Sequence, residues 1–252
     1  MPSNIQLFND DCMTAMAKMP DKSYDLAIVD PPYGIGMDSR CLNGRSSRGR
    51  YVIKQSQYLE KEWDSEAPSK EYHGELVRVS KNQIIWGANY LSGNIKYNGK
   101  WIVWHKNGQS MAPDSSDCEL ACSSFEGLVV KMFSFDWVGF GAINAKEIRI
   151  HPTQKPVQLY KWLLKNYAKP GDKILDTHGG SMSIAIACWD MGHSLDLFEI
   201  DTEYYNAGVK RFENHKKQLT LFGSDNHHAE SDQPQYGKDG TKAQDSSTDL
   251  LF

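Results

Sequence analysis

The sequence predicts an α/β fold, and three observations carry the prediction. Lys173–Asp176 reads as a strand, His178-Gly179-Gly180-Ser181 as a glycine turn, Met182–Met191 as a buried helix, and Ser194–Ile200 as a strand ending in Glu199-Ile200-Asp201. Strand, glycine turn, helix, strand and acid, in that order, make a nucleotide-binding βαβ half. Tyr24–Val29 reads as a second buried strand, stopped by Asp30-Pro31-Pro32. The 252 residues, 40% hydrophobic and 24% charged, suit one large domain or a domain with a small insertion.

The remaining elements follow in order. Ile5–Phe8 is a short strand. Cys12, Ala15, Met16 and Met19 recur at i, i+3, i+4 and i+7, one face of a short amphipathic helix that Pro20-Asp21 ends. Residues 34–72 are rich in Gly, Ser and Arg without a period and read as a long loop or insertion. Gln83–Trp86 and Trp101–Trp104 are further apolar strands, residues 105–127 are polar and irregular, and Leu128–Phe133 is strand-like. Val157, Tyr160, Leu163, Leu164 and Tyr167 mark a helix face closed by Lys169-Pro170-Gly171-Asp172. Tyr205, Gly208, Val209 and Phe212 face one side of a last helix. From Gly223 the chain is polar, so residues 1–222 form the expected domain and 223–252 an expected disordered tail.

Charge and cysteine usage narrow the class. The net charge is −4. Residues 223–252 hold six acids and two lysines, so the tail accounts for all of it and the body is neutral. Within that body Arg40, Arg45, Arg48, Arg50 and Lys54 face Asp38 alone, a basic segment suited to gripping a polyanion locally. No apolar run approaches the roughly 18 residues of a membrane span. The first residues carry acid where a signal peptide carries base. The five cysteines include no CxxC pair, which argues against a zinc ribbon or a disulfide framework. The expectation is a cytoplasmic protein with no metal site and no membrane partner.

Three motifs carry chemistry. The first, Asp30-Pro31-Pro32-Tyr33, fixes a carboxylate and a carbonyl at the carboxyl edge of a sheet, where α/β folds bind ligands. An exocyclic amine has two hydrogens, one for Asp30 and one for the Pro31 carbonyl. Accepting both localises the nitrogen lone pair, and Tyr33 offers a face for the flat ring that carries the amine. The same four residues also fit a strand end capped by an acid. The second motif is Asp176-Thr177-His178-Gly179-Gly180-Ser181 with Glu199 on the next strand, an acid placed to accept two ribose hydroxyls. It equally fits a tight strand–helix turn. The third, His151-Pro152-Thr153-Gln154-Lys155-Pro156, brings a hydroxyl and a cation to a helix start, where a carboxylate could sit or Lys155 could simply be solvated.

Taken together, these motifs resemble the amino-group DNA methyltransferases in which the catalytic motif precedes the cofactor motif. The likeness spans roughly residues 5–218 and includes Ile5–Asp11, the DPPY at 30–33, Trp86-Gly87-Ala88-Asn89-Tyr90, Trp104-His105-Lys106, HPTQKP at 151–156 and the glycine turn through Asp201. It implies a seven-stranded, mostly parallel, Rossmann-like sheet with a circularly permuted motif order. It also implies S-adenosylmethionine as methyl donor and double-stranded DNA as partner, in a bacterial or phage-infected cell. Asp30 and the Pro31 carbonyl would hold the target amine, with Pro32 fixing the turn and Tyr33 stacking on a flipped base. Thr153 and Lys155 would meet the methionine end of the donor. Asp176, Gly180 and Ser181 would line its path, Glu199 would take the ribose, and Asp11 with Cys12 would lie near the adenine. His178 stands where the family usually has Phe, and Met182 where it usually has Gly.

The leading expectation is methylation of adenine N6, because Asp leads the tetrapeptide. Cytosine N4 is the alternative, since Ser often leads there, and a catalytically weak DNA-binding relative is a third reading. The basic segment at 38–54 is the expected phosphate contact, and residues 105–150 the expected target-recognition region. Gln218-Leu219-Thr220-Leu221-Phe222 resembles the short peptide by which bacterial DNA enzymes dock on the replication sliding clamp; packing back on the sheet is the other reading.

Overall fold

The computed structural model describes residues 3–36, 64–91, 93, 100–106, 116–127, 129–135 and 150–221. Among them run β1 (Ile5–Phe8), α1 (Cys12–Met16), β2 (Tyr24–Val29), α2 (Lys70–Val79), β3 (Ser80–Trp86), β4 (Trp101–His105), β5 (Cys118–Ser123) and β6 (Lys131–Ser134). They are followed by α3 (Val157–Tyr167), β7 (Lys173–Asp176), α4 (Ser183–Met191), β8 (Ser194–Phe198) and α5 (Thr202–Leu221).

The strands form one sheet in the order β1-β8-β7-β2-β3-β5-β4-β6. All neighbours are parallel except the two pairs that involve β5. The expected α/β class holds, but the described sheet has eight strands rather than seven. The additional pairing comes from β5, inside a stretch whose polar composition reads as irregular. Its sequence, CELACS, has no β-branched or aromatic residue, so β-propensity is silent there. The register of β5 against β3 and β4 supplies what local sequence does not.

A helix, α2, likewise begins inside the stretch read as loop. Ser69 caps it by accepting a hydrogen bond from the Tyr72 amide, and Tyr72, His73, Leu76 and Val79 form its buried face. Gly74 at its middle and the irregular segment before it hide that face from a periodicity reading.

Alternation along the central strands divides the core between the two sheet faces. Leu26 and Ile28 of β2, with Ile84 and Trp86 of β3, pack under α3 and α4. Ala27, Val29 and Ile85 point the other way, onto α1 and α2. From β7 the chain winds outward to β8, and from β2 it winds the opposite way to β3. The crevice beyond the carboxyl ends of β2 and β7 is therefore the topological switch point, the place where such sheets bind ligands. Asp30 follows β2 and Asp176 ends β7.

Candidate active site

The tetrapeptide is held from both sides. Asp64, 1% exposed, accepts the amides of Tyr33 at 2.6 Å and Gly34 at 3.0 Å through one carboxylate oxygen. The Asp64 carbonyl accepts the Gly36 amide at 3.1 Å. The Tyr33 ring lies over Gly87, whose φ is +70° and where a Cβ would come within 2.1 Å of the ring. Only glycine fits there. Tyr90, 47% exposed, stacks on Tyr33 with centroids 5.4 Å apart and planes 20° apart. An aromatic pair at the open edge of a sheet is a ready platform for another flat ring.

Beneath this pair lies a chain of charges. The Tyr33 hydroxyl donates to one Asp30 oxygen at 2.7 Å, and the Lys155 ammonium contacts the other at 2.5 Å. Lys155, its side chain 2% exposed, also reaches the Tyr33 hydroxyl at 3.2 Å and Glu119 of β5 at 3.1 Å. Lys106 closes the chain on the second Glu119 oxygen at 2.7 Å. The ammonium of Lys155 lies 5.4 Å from the Trp86 ring and 5.7 Å from that of Tyr33. Burial raises the Asp30 pKa, Lys155 pulls it down, and Glu119 pushes it up again, leaving it above the ordinary carboxylate range. Burial would also raise Glu119, but Lys155 and Lys106 hold it down to about 2. For Lys155, the attraction of Asp30 and Glu119 outweighs the burial that opposes its charge.

The glycine turn forms the other wall. Gly179 donates its amide to the Phe198 carbonyl, tying the turn to β8. Glu199 accepts the Gly180 amide at 2.7 Å on one oxygen and the Asp201 amide at 2.8 Å on the other. Asp176 accepts the His178 amide at 3.0 Å. Burial, with Asp30 and Glu199 nearby, nonetheless pushes the Asp176 carboxyl up to about 8. His178 is held down to about 4 by burial and is a neutral ring at physiological pH. Its Nδ1 shares a 2.9 Å hydrogen bond with the Thr177 hydroxyl, which meets the Tyr72 hydroxyl at 2.6 Å. Asp11 caps α1, its carboxylate accepting the Thr14 amide at 2.7 Å. The neighbouring Cys12 thiol is pushed up to about 12, first by burial and then by Asp11.

Met182, the residue at the usual glycine position, adopts φ +57° and is fully buried. Its side chain turns away from the crevice onto Gly208 of α5, where a Cβ would meet the Met182 Cγ at 2.7 Å. Arg211 of α5 donates to the Ser181 carbonyl at 2.6 Å and to the Ser183 hydroxyl at 3.0 Å, holding the start of α4. The His151 ring packs on Tyr204, and its Nδ1 accepts from the amide and hydroxyl of Thr153.

The crevice thus gathers Asp30, Tyr33, Lys155, Asp176 and Glu199 from three distant stretches of chain. Glu119, Asp64 and Tyr90 belong to it although sequence reasoning singles out none of them as site residues. Glu119 reaches it because β5 runs antiparallel, which brings the start of that strand to the edge where its neighbours end. Ile200, beside Glu199, is 67% exposed at the same edge. Thr153 is engaged with His151, and Lys155 with Asp30 and Glu119. Arg40, Arg45, Arg48, Arg50, Lys54, Phe222 and the tail at 223–252 lie outside the described residues, as does much of the expected recognition region at 105–150. Gln218 is exposed in the last turn of α5.

Comparisons with known proteins agree with this architecture. A sequence profile described as DNA methylase, for the N6 and N4 enzymes, matches residues 141–210. The DNA adenine methyltransferase YhdJ of Escherichia coli K12 is 34% identical over 250 residues, covering 82% of this chain and 82% of that protein. The type II methyltransferase M.HpaI of Haemophilus parainfluenzae is 22% identical over 245 residues, covering 82% of this chain and 74% of its own. Two solved structures share the fold. The M1.HpyAVI–SAM complex superposes with a TM-score of 0.50 at 20% identity, covering 82% of this chain and 98% of that one. The cytosine-N4-specific PvuII DNA methyltransferase superposes with a TM-score of 0.51 at 13% identity, covering 87% and 93%.

Proposed function

The chain belongs to the N6/N4 family of DNA methyltransferases, and on that premise we propose that it methylates the exocyclic N6 of adenine in DNA, with S-adenosylmethionine as donor. The observation that carries the reading is the Asp30 carboxylate, first in its tetrapeptide, fixed by Tyr33 and Lys155 at the switch point of the sheet. The 34% identical relative is a DNA adenine methyltransferase, which supports adenine over cytosine.

The crevice suits the donor. Asp30, Asp176 and Glu199 bring three carboxylates together, and burial, reinforced by Asp30 and Glu199, pushes the Asp176 pKa up to about 8. Such a site gains from a cation, and the donor carries a sulfonium and an ammonium. Glu199, its two oxygens held by the Gly180 and Asp201 amides, is fixed at the crevice where it can meet the ribose of the donor. Ile200 and the protonated Cys12 thiol offer apolar contact for an adenine ring. His178 as a neutral flat ring, and Met182 turned into the core, are compatible with this fit. When bound, the donor supplies an electrophilic methyl: the bond from the amine nitrogen to that carbon forms as the carbon–sulfur bond breaks, and the amine then loses a proton.

The residues of this chain act on the base. The base is rotated out of the stack to reach them. Tyr33 and Tyr90 receive its face. Asp30 and the Pro31 carbonyl accept the two amine hydrogens and localise the lone pair toward the donor. The basic segment at 38–54 contacts phosphate, and residues 105–150 contribute to target recognition.

The test is expression in a host without DNA methylation, followed by nucleoside analysis of its DNA. N6-methyladenine is the expected product. N4-methylcytosine instead would reassign the base, and unmodified DNA from a chain that still binds the donor would make it a non-catalytic relative.

A further inference from the structure

The Lys155 ammonium has three hydrogens, and three partners use them: Asp30 at 2.5 Å, Glu119 at 3.1 Å and the Tyr33 hydroxyl at 3.2 Å. Two of these belong to the catalytic tetrapeptide. The third, Glu119, comes from a different strand and is itself anchored by Lys106 at 2.7 Å. The side chain that bears this ammonium is 2% exposed, and an ammonium so buried sits where its neighbours direct it. Without the negative charge at Glu119, the ammonium would keep Asp30 as its one anionic partner, and the Lys155 side chain would be freer to rotate about its last bonds. The nearby charged and titratable groups are Asp30 after β2, Tyr33 in the turn, Glu119 on β5, Lys106 after β4, Tyr160 on α3 and Asp176 on β7.

We propose that Glu119 is a positioning residue for methyl transfer: together with Lys106 it aims the Lys155 ammonium at Asp30, so that Lys155 serves the target-amine side of the crevice rather than the carboxylate of the donor. The inference rests on the methyltransferase reading above. Lys155 orients the carboxylate that must accept the amine hydrogen, and Glu119 fixes Lys155 against the pull of any other anion. A misplacement on the order of 1 Å in such an arrangement costs up to roughly 100-fold in rate.

The experiment compares the full-length wild type with Glu119→Gln, Glu119→Asp and the double variant Glu119→Gln/Lys106→Gln, which keeps the buried charges in balance. Calorimetry with S-adenosylhomocysteine is run without DNA, and single-turnover methylation is run across pH. The expected result is product affinity within about threefold of wild type, with a methylation rate lower by roughly 10- to 100-fold in both Gln-bearing variants. Asp should recover part of the rate. Glu119 raises the Asp30 pKa, so its neutralisation should move the acidic limb of the rate profile to lower pH. Wild-type methylation by Glu119→Gln would overturn the proposal. So would a loss of affinity for S-adenosylhomocysteine above tenfold, which would place Lys155 on the donor side whether or not the wild type methylates DNA. A fall in melting temperature with an unmoved acidic limb would reduce Glu119 to a structural role and also overturn it. An inactive wild type that binds the product normally counts against the functional reading alone, and the affinity arm still decides the place of Lys155.

Discussion

Asp176 holds its proton to about pH 8 because burial, Asp30 and Glu199 all oppose its charge. A cation in the crevice removes that opposition, so binding of S-adenosylmethionine near neutral pH should release a proton. Calorimetry in buffers of different ionisation enthalpy measures the release, and Asp176→Asn should abolish it. The same carboxyl bears on stability. Its folded pKa lies above the unfolded value, so its contribution is fully present below about pH 4 and is lost as pH rises to about 8. Asp176→Asn should therefore flatten the dependence of unfolding free energy on pH across that window. Asp30→Ala makes a contrasting prediction: methylation lost, donor affinity largely retained, since the interaction matters in the transition state. Single-turnover rates and calorimetry on the one variant separate the two. At this scale the positions of Asp30, Tyr33 and Asp176 at strand ends are legible in the sequence because proline or glycine follows or flanks each, and that of Glu199 because it is the acid that ends the strand after the glycine turn. Glu119 and Asp64 are not legible, because their roles depend on partners 36 and 31 residues away.

Met182 and Gly208 are a matched pair between α4 and α5. The left-handed conformation at Met182 costs roughly 1–2 kcal/mol, and the side chain it carries is fully buried against the glycine. Gly208→Ala puts a methyl 2.7 Å from the Met182 Cγ and should destabilise the fold by about 1–3 kcal/mol. Met182→Gly relieves the backbone but empties the site, and should cost about 2–5 kcal/mol less that relief. Urea unfolding of both single variants and the double should show strong non-additivity, with the double well short of the sum. Helices α3 and α4, and strands β2 and β7, can be read from sequence because their apolar faces follow one period or fill it entirely. Strand β5 cannot, because what makes it a strand is hydrogen bonding to β3 and β4 rather than its own side chains.

At the scale of the whole molecule, the charge is divided between a neutral body, an acidic tail and a basic segment. Neutralising Arg45, Arg48 and Arg50 together should weaken DNA binding and lower its salt dependence by roughly 0.9 in log–log slope per lost phosphate contact. Titrations at several salt concentrations measure this, and sequence preference should barely move. For Gln218–Phe222 we propose docking to the sliding clamp; Phe222→Ala should then remove clamp binding by the full chain without lowering its melting temperature. The backbone hydrogen bond from Gly36 to Asp64 bears on the same segment from another direction. It brings the two ends of residues 37–63 together, and the Asp64 carboxylate fastens that junction to the Tyr33 turn. Whatever chain connects the two ends, the turn at Asp30–Tyr33 is set by the junction. Doubling the length of a flexible connection costs only about 0.6 kcal/mol in closure entropy. Gly36 and Asp64 thus form a fixed socket, and the expected outcome of lengthening, shortening or replacing residues 37–63 is altered DNA affinity with the turn after Asp30 kept in register.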